Sequence, residues 1–482
     1  MKTPPQVIEQ IAGWAAKTPG RPAITDRTST IPFGQLWEDT GSCADFLTRY
    51  GVAEGAAVGL LLPNRGLFVT ALLSIARVGA VAVLFPTSLS APELQRYIEM
   101  AGTRWVFAGS AHRDLILEAG GRPAPGSYGD LEAFAFHVVP AGPLTRDDFI
   151  VQLTSGVDQP SKLAVRTYAA VWNEIRDFAE EITLTQRDTT LVLSSIFHSY
   201  GLIGGTLAPL SRGGRVILHD GFDPQVVLQR IRQERPTILF GVPVMYRRII
   251  ETTASEGDDL SSLRLCFSAG APLRPDVDDE FARRFGNRIS QDYGSTEAGV
   301  ITLRLEWTSQ LQQSVGVPVR GRIIMIEDTS ARPLPPRQMG EVIVESGALA
   351  RGYLGDVPPG TMTRENRFHT GDLGWVDEDG HLFLVGRKSS LIHAAGATVD
   401  PSAVETVIAR MPGVRDVAVV GTPNPAGGER VKAVVVADGI ATEHILLHCR
   451  QHLPETHQPE VVEFRTTIPR TPAGKILRRV MR

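Results

Sequence analysis

Apolar residues cluster in short runs of four to six, each followed by a stretch with apolar positions three and four apart. AAVGLLLP leads to a helical stretch over 67 to 77 and then AVAVLF; TLVLSS precedes a helix after His198 and then GRVILHD. PTILFG is followed by VPVMYRRIIETT, and LRLCFSAG by PDVDDEFARRFG and RISQDYG. Runs apolar throughout and alternating with amphipathic helices predict parallel strands with crossover helices. From about 306 the pattern becomes short alternating runs, GRIIMIED and GEVIVES, parted by ARPLPPRQMG, which predicts an antiparallel, barrel-like subdomain. After 385 comes a compact α+β pattern: a helix over 401 to 410, strands VRDVAVVG and ERVKAVVVA, a helix near 443 to 452 and a strand VVEFRT. The expected organisation is an α/β chain with a large N-terminal domain, 1–385, and a small C-terminal α+β domain, 386–482.

Composition narrows the class without changing that picture. The chain has 482 residues, 43% hydrophobic and 21% charged, with a net charge of −4, which suits a soluble globular protein and gives no basic footprint for nucleic acid. The first residues, MKTPPQVIEQIAGWAAKTPG, lack the apolar centre of a signal peptide, and no uncharged apolar run reaches the length of a membrane span; cytoplasmic residence is expected. Cys43, Cys266 and Cys449 are few and far apart, the pattern of buried thiols rather than of a disulfide framework or a metal site.

The chemistry lies in Gly-rich and acidic segments: TSGVDQPSK at 154 to 162, SSIFHSYGLIGG at 194 to 205, SAGAPL at 268 to 273, QDYGSTEAG at 291 to 299, HTGDLGW at 369 to 375, GRKSSLIHAAGATVDPSAVE at 386 to 405, and PRTPAGKILRR at 469 to 479. In this order and spacing they resemble the adenylate-forming superfamily of acyl-CoA ligases, peptide-synthetase adenylation domains and luciferases, over nearly the whole chain. Such enzymes join a carboxylate to AMP, release pyrophosphate, and pass the acyl group to a thiol. The protein's part is to orient reactants and neutralise phosphate charge.

The resemblance implies that Tyr293 stacks on adenine, that Thr296 bonds the α-phosphate and that Glu297 holds Mg²⁺, with Asp292, Gly294 and Ser295 counted on the nucleotide side. Asp372 is expected to accept the ribose hydroxyls and Arg387 to add a ribose or phosphate contact. Gly270, Ala271 and Pro272 match the adenine-side segment, although a bare strand-to-helix turn explains them as well. Lys475 matches the mobile lysine brought to the reacting carboxylate. A hinge is expected at 387–389, with Lys388 and Ser389, letting the small domain rotate until Gly396 lines a pantetheine tunnel. Phe197, His198, Tyr200, Phe240, Gly241, Val242 and Pro243 are expected to wall the acyl pocket, with a helix-cap or core role open for His198. No acidic residue follows Phe197 to pair an α-amine, which favours an uncharged fatty, aryl or polycyclic acid.

The phosphate loop departs from the family's pattern of TSGTTGxPKG. Thr154, Ser155, Gly156 and Lys162 remain, but Thr-Thr-Gly becomes Val157-Asp158-Gln159, and Ser161 and Leu163 replace Pro and Gly. Two hydroxyls and two glycines that would cradle the β- and γ-phosphates are lost. A carboxylate about 5 Å from a phosphate charge, at an effective dielectric near 20, costs roughly 3 kcal/mol. AMP and an acyl-adenylate lack those phosphates. The expectation is an acyl-CoA ligase that thioesterifies an acyl-adenylate with CoA, its ATP- and Mg²⁺-dependent adenylation impaired and a partner ligase supplying the adenylate. A complete two-step synthetase and a non-catalytic adenylate-binding protein remain the alternatives, and a carrier-protein thiol the alternative acceptor.

Overall fold

The computed structural model describes residues 6–139, 144–154, 161–252, 259–355, 367–394, 397–424, 429–470 and 475–482. Its large part is built on two mostly parallel sheets. In one, Pro22–Thr25, Arg215–Leu218, Thr189–Val192, Ile238–Gly241, Leu265–Ser268 and Ile289–Ser295 run side by side, all parallel. Both faces of its strands are buried: Leu191, Leu239 and Cys266 pack with Tyr246 and Phe281 on one side, and Val192, Phe240 and Phe267 with Phe178 and Leu202 on the other. This is why these strands read as unbroken apolar runs. The crossover helices Pro224–Glu234 and Pro275–Phe285 begin with proline in the first turn, where a missing N–H costs nothing.

The second sheet centres on the parallel strands Trp105–Gly109, Ala57–Leu61, Val81–Leu84 and Asp148–Leu153. Antiparallel Leu163–Thr167 and Gly352–Leu354 continue it at the edge nearest the phosphate loop. The expected barrel-like unit is an antiparallel sheet of Arg322–Glu327, Gly340–Ser346, Arg367–Val376 and Leu382–Arg387. Gly386 and Arg387 belong to its last strand; the turn Lys388–Ser390 leads to the C-terminal sheet, where Glu429–Ala437 lies between Val414–Pro423 and Val461–Phe464 and also pairs with Ile392–Ala394. Among the described residues no helix is long and apolar enough to cross a membrane. Cys43, Cys266 and Cys449 are free and buried, as read from the sequence.

One element differs from its expected form. The helix after His198 is a π-helix over Tyr200–Leu207 before it tightens into α-helix at Ala208–Ser211. Glycines permit the wide turn to press on the sheet: a Cβ at Gly204 would lie 3.2 Å from Phe240, and one at Gly205 would lie 3.1 Å from Val192. Such wide turns are uncommon and tend to occur at functional sites.

Helix Tyr168–Glu181 joins the sheets through two buried ion pairs. Arg166 and Glu174, with side chains 0% and 1% exposed, meet at 2.7 Å, and Arg322 pairs with Asp177. Arg166 also donates to the carbonyls of Thr296 at 3.1 Å and Ala348 at 2.9 Å, while Glu174 accepts from the Val300 N–H at 3.1 Å. Removing one partner strands the other charge away from water. Arg166→Ala should therefore cost about 3–5 kcal/mol in urea unfolding, and a paired replacement with Glu174→Leu less than the single change; a loss below about 1 kcal/mol for Arg166→Ala would contradict this role.

Candidate active site

The carboxyl ends of the first sheet, the antiparallel sheet and the C-terminal segment converge on one site. Ile289–Ser295 turns back into Gly299–Leu303, and the turn between them presents Thr296 and Glu297. Gly299 has φ +65°, and a Cβ there would stand 2.3 Å from Glu174 Oε2, so the turn requires glycine. Ser295 Oγ accepts from the Ala298 N–H at 3.1 Å, which gives Ser295 a role inside the turn.

Glu297 Oε1 accepts from the Tyr353 hydroxyl at 2.7 Å, and the Lys162 ammonium stands 5.0 Å from the centre of the Tyr353 ring. Burial and the Glu297 charge push the Tyr353 phenol far up, so it remains a donor. Sequence reasoning passed over Tyr353, whose segment ARGYLGD is not among those that carried the resemblance; the fold brings it in by pairing Gly352–Leu354 with the strand that starts beside Lys162. At the base of the phosphate loop, Thr154 and Lys162 are tied by Thr154 N–H to Lys162 O at 2.9 Å and Lys162 N–H to Thr154 Oγ1 at 3.0 Å. Ser155, Gly156 and the substituted Val157-Asp158-Gln159 lie outside the described residues, as does Gly396.

Tyr293, Asp372 and Arg387 form a connected group. Asp372 Oδ2 accepts from the Tyr293 hydroxyl at 2.7 Å, and Oδ1 accepts from Arg387 Nε at 2.7 Å. The strands carry Asp372 directly opposite Arg387. A carboxylate has about four acceptor sites, so this group is oriented and retains capacity for hydroxyls. Lys475 reaches the same place from the C-terminal segment. Burial first, then the Arg387 charge, pull its ammonium down to about 8, while Asp372 and Glu297 act in the opposite direction.

On the acyl side, buried Gln152 holds the Phe197 carbonyl at 2.9 Å and accepts from Ser199 Oγ at 2.7 Å. The Phe197 and His198 rings lie 4.3 Å apart. Burial, then the Lys475 charge, lower the His198 imidazole to about 4, so it is neutral at pH 7. The Tyr200 hydroxyl donates to the Gly241 carbonyl at 3.0 Å; its ring is 5.0 Å from Phe240, which is 5.3 Å from Phe267. Val242 is buried and Pro243 opens the next helix. Gln152 went unmarked in the sequence because a single glutamine within an apolar strand has no pattern.

Gly270, at φ +85°, and Pro272 are exposed and Ala271 half-buried, beyond the end of Leu265–Ser268. Gly294 approaches the Gly299 carbonyl so closely that a Cβ would lie 2.3 Å from it. Lys388 pairs with Glu341 at 3.2 Å, and Ser389 lies in the short turn. Asp292 separates from the nucleotide group in which the sequence placed it: strand alternation turns its side chain to the face opposite Tyr293, toward Tyr200 and Glu174.

A lysine brought by the C-terminal segment beside the Glu297 and Asp372 carboxyl groups suits an enzyme that must offset charge on a reacting acid. Fold and site define an acid–thiol ligase of the adenylate-forming superfamily. The chain belongs to that family: residues 11–354 match the AMP-binding enzyme family and 403–475 the AMP-binding enzyme C-terminal domain. It is 34% identical over 474 residues to a feruloyl-CoA synthase of Amycolatopsis sp, covering 96% of each chain. It is 30% identical to a long-chain-fatty-acid–CoA ligase of Mycobacterium tuberculosis, covering 94% of this chain and 92% of that one. The crystal structure of ATP-bound MatB from Rhodopseudomonas palustris superposes with a TM-score of 0.87 at 26% identity over 98% of both chains.

A lysine held near 8 keeps its charge below that pH and loses it above. The kcat/KM for adenylate formation should therefore be flat below about pH 7 and fall roughly tenfold per unit well above pH 8, a limb absent in Lys475→Met. Asp372→Ala should weaken AMP binding by about tenfold or more in calorimetry, since it removes charge-assisted acceptors; unchanged affinity would remove Asp372 from the nucleotide site.

Proposed function

We propose that this chain is an acyl-CoA ligase whose main reaction is thioesterification: it accepts an acyl-adenylate and passes the acyl group to CoA, with its own ATP-dependent adenylation slowed. The observation that carries this reading is selective. The groups that would serve AMP are present: Tyr293, Asp372 and Arg387 orient one another, and Arg166 holds the Thr296 carbonyl. The residues that would serve the β- and γ-phosphates are replaced by Val157-Asp158-Gln159. A partner ligase then supplies the adenylate of a fatty, aryl or polycyclic acid, in the cytoplasm.

The CoA thiolate attacks the acyl carbon, the bond from that carbon to the AMP oxygen breaks, and AMP leaves with the electron pair. Fixed donors and the Arg387 cation hold the AMP part in place for this transfer. The small domain turns about Lys388 and Ser389, withdrawing Lys475 and bringing the segment with Gly396 to the pantetheine path. In any residual adenylation, Glu297 is the hard oxygen ligand that would hold Mg²⁺, which would there offset phosphate charge, and Tyr353 orients that carboxylate. Lys475 beside Glu297 and Asp372 is the observation that favours the second reading, a complete two-step synthetase.

Incubation with CoA and either free acids plus ATP and Mg²⁺ or the corresponding synthetic adenylates distinguishes the two, with acyl-CoA followed by mass spectrometry. The proposed function predicts product from the adenylate at least about a hundredfold faster, the scale of the loop penalty. Replacing Val157-Asp158-Gln159 by Thr-Thr-Gly should raise pyrophosphate release. Equal rates from both donors, or no response to the loop replacement, would contradict it.

A further inference from the structure

Among the described residues, Ser194 Oγ, Ser268 Oγ and Asp292 Oδ2 are buried side-chain oxygens without a hydrogen-bond partner. Ser194 lies just past Thr189–Val192, Ser268 ends Leu265–Ser268, and Asp292 follows the stretch 289–291 of Ile289–Ser295 that pairs in parallel, along the rim where open α/β sheets take ligands. Asp292 matters most because a carboxyl loses most on leaving water. It is only 7% exposed, and a buried polar group left unsatisfied calls for a reason, such as a ligand that completes it.

The surroundings restrict what that ligand is. Asp292 shares a strand face with Ser290, which pairs with Phe267, which in turn pairs with Phe240. Tyr200 packs on Phe240 with its hydroxyl already donated to the Gly241 carbonyl. The charge bearing on Asp292 is that of Glu174, itself committed to Arg166. Burial first, and then Glu174, hold the Asp292 carboxyl well above the usual carboxylate range. Ionised, the carboxyl only accepts; protonated, it offers one O–H and still keeps lone pairs, so it can accept from a donor in either state.

We propose that Asp292 reads the acyl group: its side chain accepts a hydrogen bond from an O–H or N–H donor carried by a ring acid seated against Tyr200, Phe240 and Phe267. This rests on the ligase reading and narrows it from apolar acids in general to ring acids with a polar donor. A site built to bond a hydroxyl or amine rejects the analogue that lacks it, because its own acceptor is then left unpaired.

Calorimetry with acyl-sulfamoyl adenosines, stable mimics of the adenylate that need no turnover, tests this. The set comprises the benzoyl compound and the ring-position isomers of its hydroxyl, amino and aminomethyl derivatives. In the unaltered protein at least one donor-bearing isomer should bind about tenfold or more tighter than benzoyl, and Asp292→Ala should erase that preference. Asp292→Asn, which keeps an acceptor oxygen without the charge, should retain a hydroxyl or neutral amine preference and abolish an aminomethyl one, separating the two donor sources. Benzoyl binding as tight as every derivative, or a preference that survives Asp292→Ala, overturns the assignment while leaving the ligase reading intact. Failure of every mimic and of AMP to bind overturns both.

Discussion

The site depends on the buried Arg166–Glu174 pair more than on any group that faces substrate. Arg166 lies in the strand Leu163–Thr167, Glu174 sits on the helix between the two sheets, and together they hold the Thr296 carbonyl, the Ala348 carbonyl and the Val300 N–H. An ion pair out of water adds little net stability, since desolvation offsets attraction. Its value here is geometric. The turn bearing Thr296 and Glu297 can adopt few positions that satisfy both charges, and Gly299 must lack a side chain for Glu174 to fit. The Ala350 N–H to Glu297 carbonyl bond at 2.6 Å then ties in the strand that carries Tyr353.

Charge in the site follows from that frame. Two carboxylates, Glu297 and Asp372, are each held by a phenol, Tyr353 and Tyr293, and Asp372 also by Arg387. Lys475 enters this group from the other domain and gives up part of its basicity to burial and to Arg387. An ammonium held this way is costly to keep in place and easy to release, which suits a group proposed to serve one half-reaction and leave for the next. His198, kept neutral by burial and by the Lys475 charge, adds no competing charge.

The architecture was legible wherever burial wrote a period into the chain. The apolar strands 189–192, 238–241 and 265–268 and the antiparallel strands 322–327 and 340–346 stand where the pattern put them. Helix Tyr168–Glu181 escaped notice because it buries Glu174 and Asp177, so its inner face is not uniformly apolar. The π-helix escaped because α and π turns share the same residues until packing on Val192 and Phe240 selects between them. Motif residues such as Asp372 and Arg387 carry local signatures. Tyr353 and Gln152 do not, since each acts through a partner far away in sequence that only the folded sheets bring near.

The central claim is that this site favours the adenylate over the triphosphate, and paired calorimetric titrations under identical Mg²⁺ and salt test it directly. The ligands are a stable acyl-sulfamoyl adenosine and a non-hydrolysable ATP analogue. The account predicts that the ATP analogue binds weaker than AMP itself, by about tenfold or more for each retained unit of repulsion near 1.4 kcal/mol, and that the adenylate mimic binds tightest. An ATP analogue that binds as tightly as AMP or tighter would contradict it.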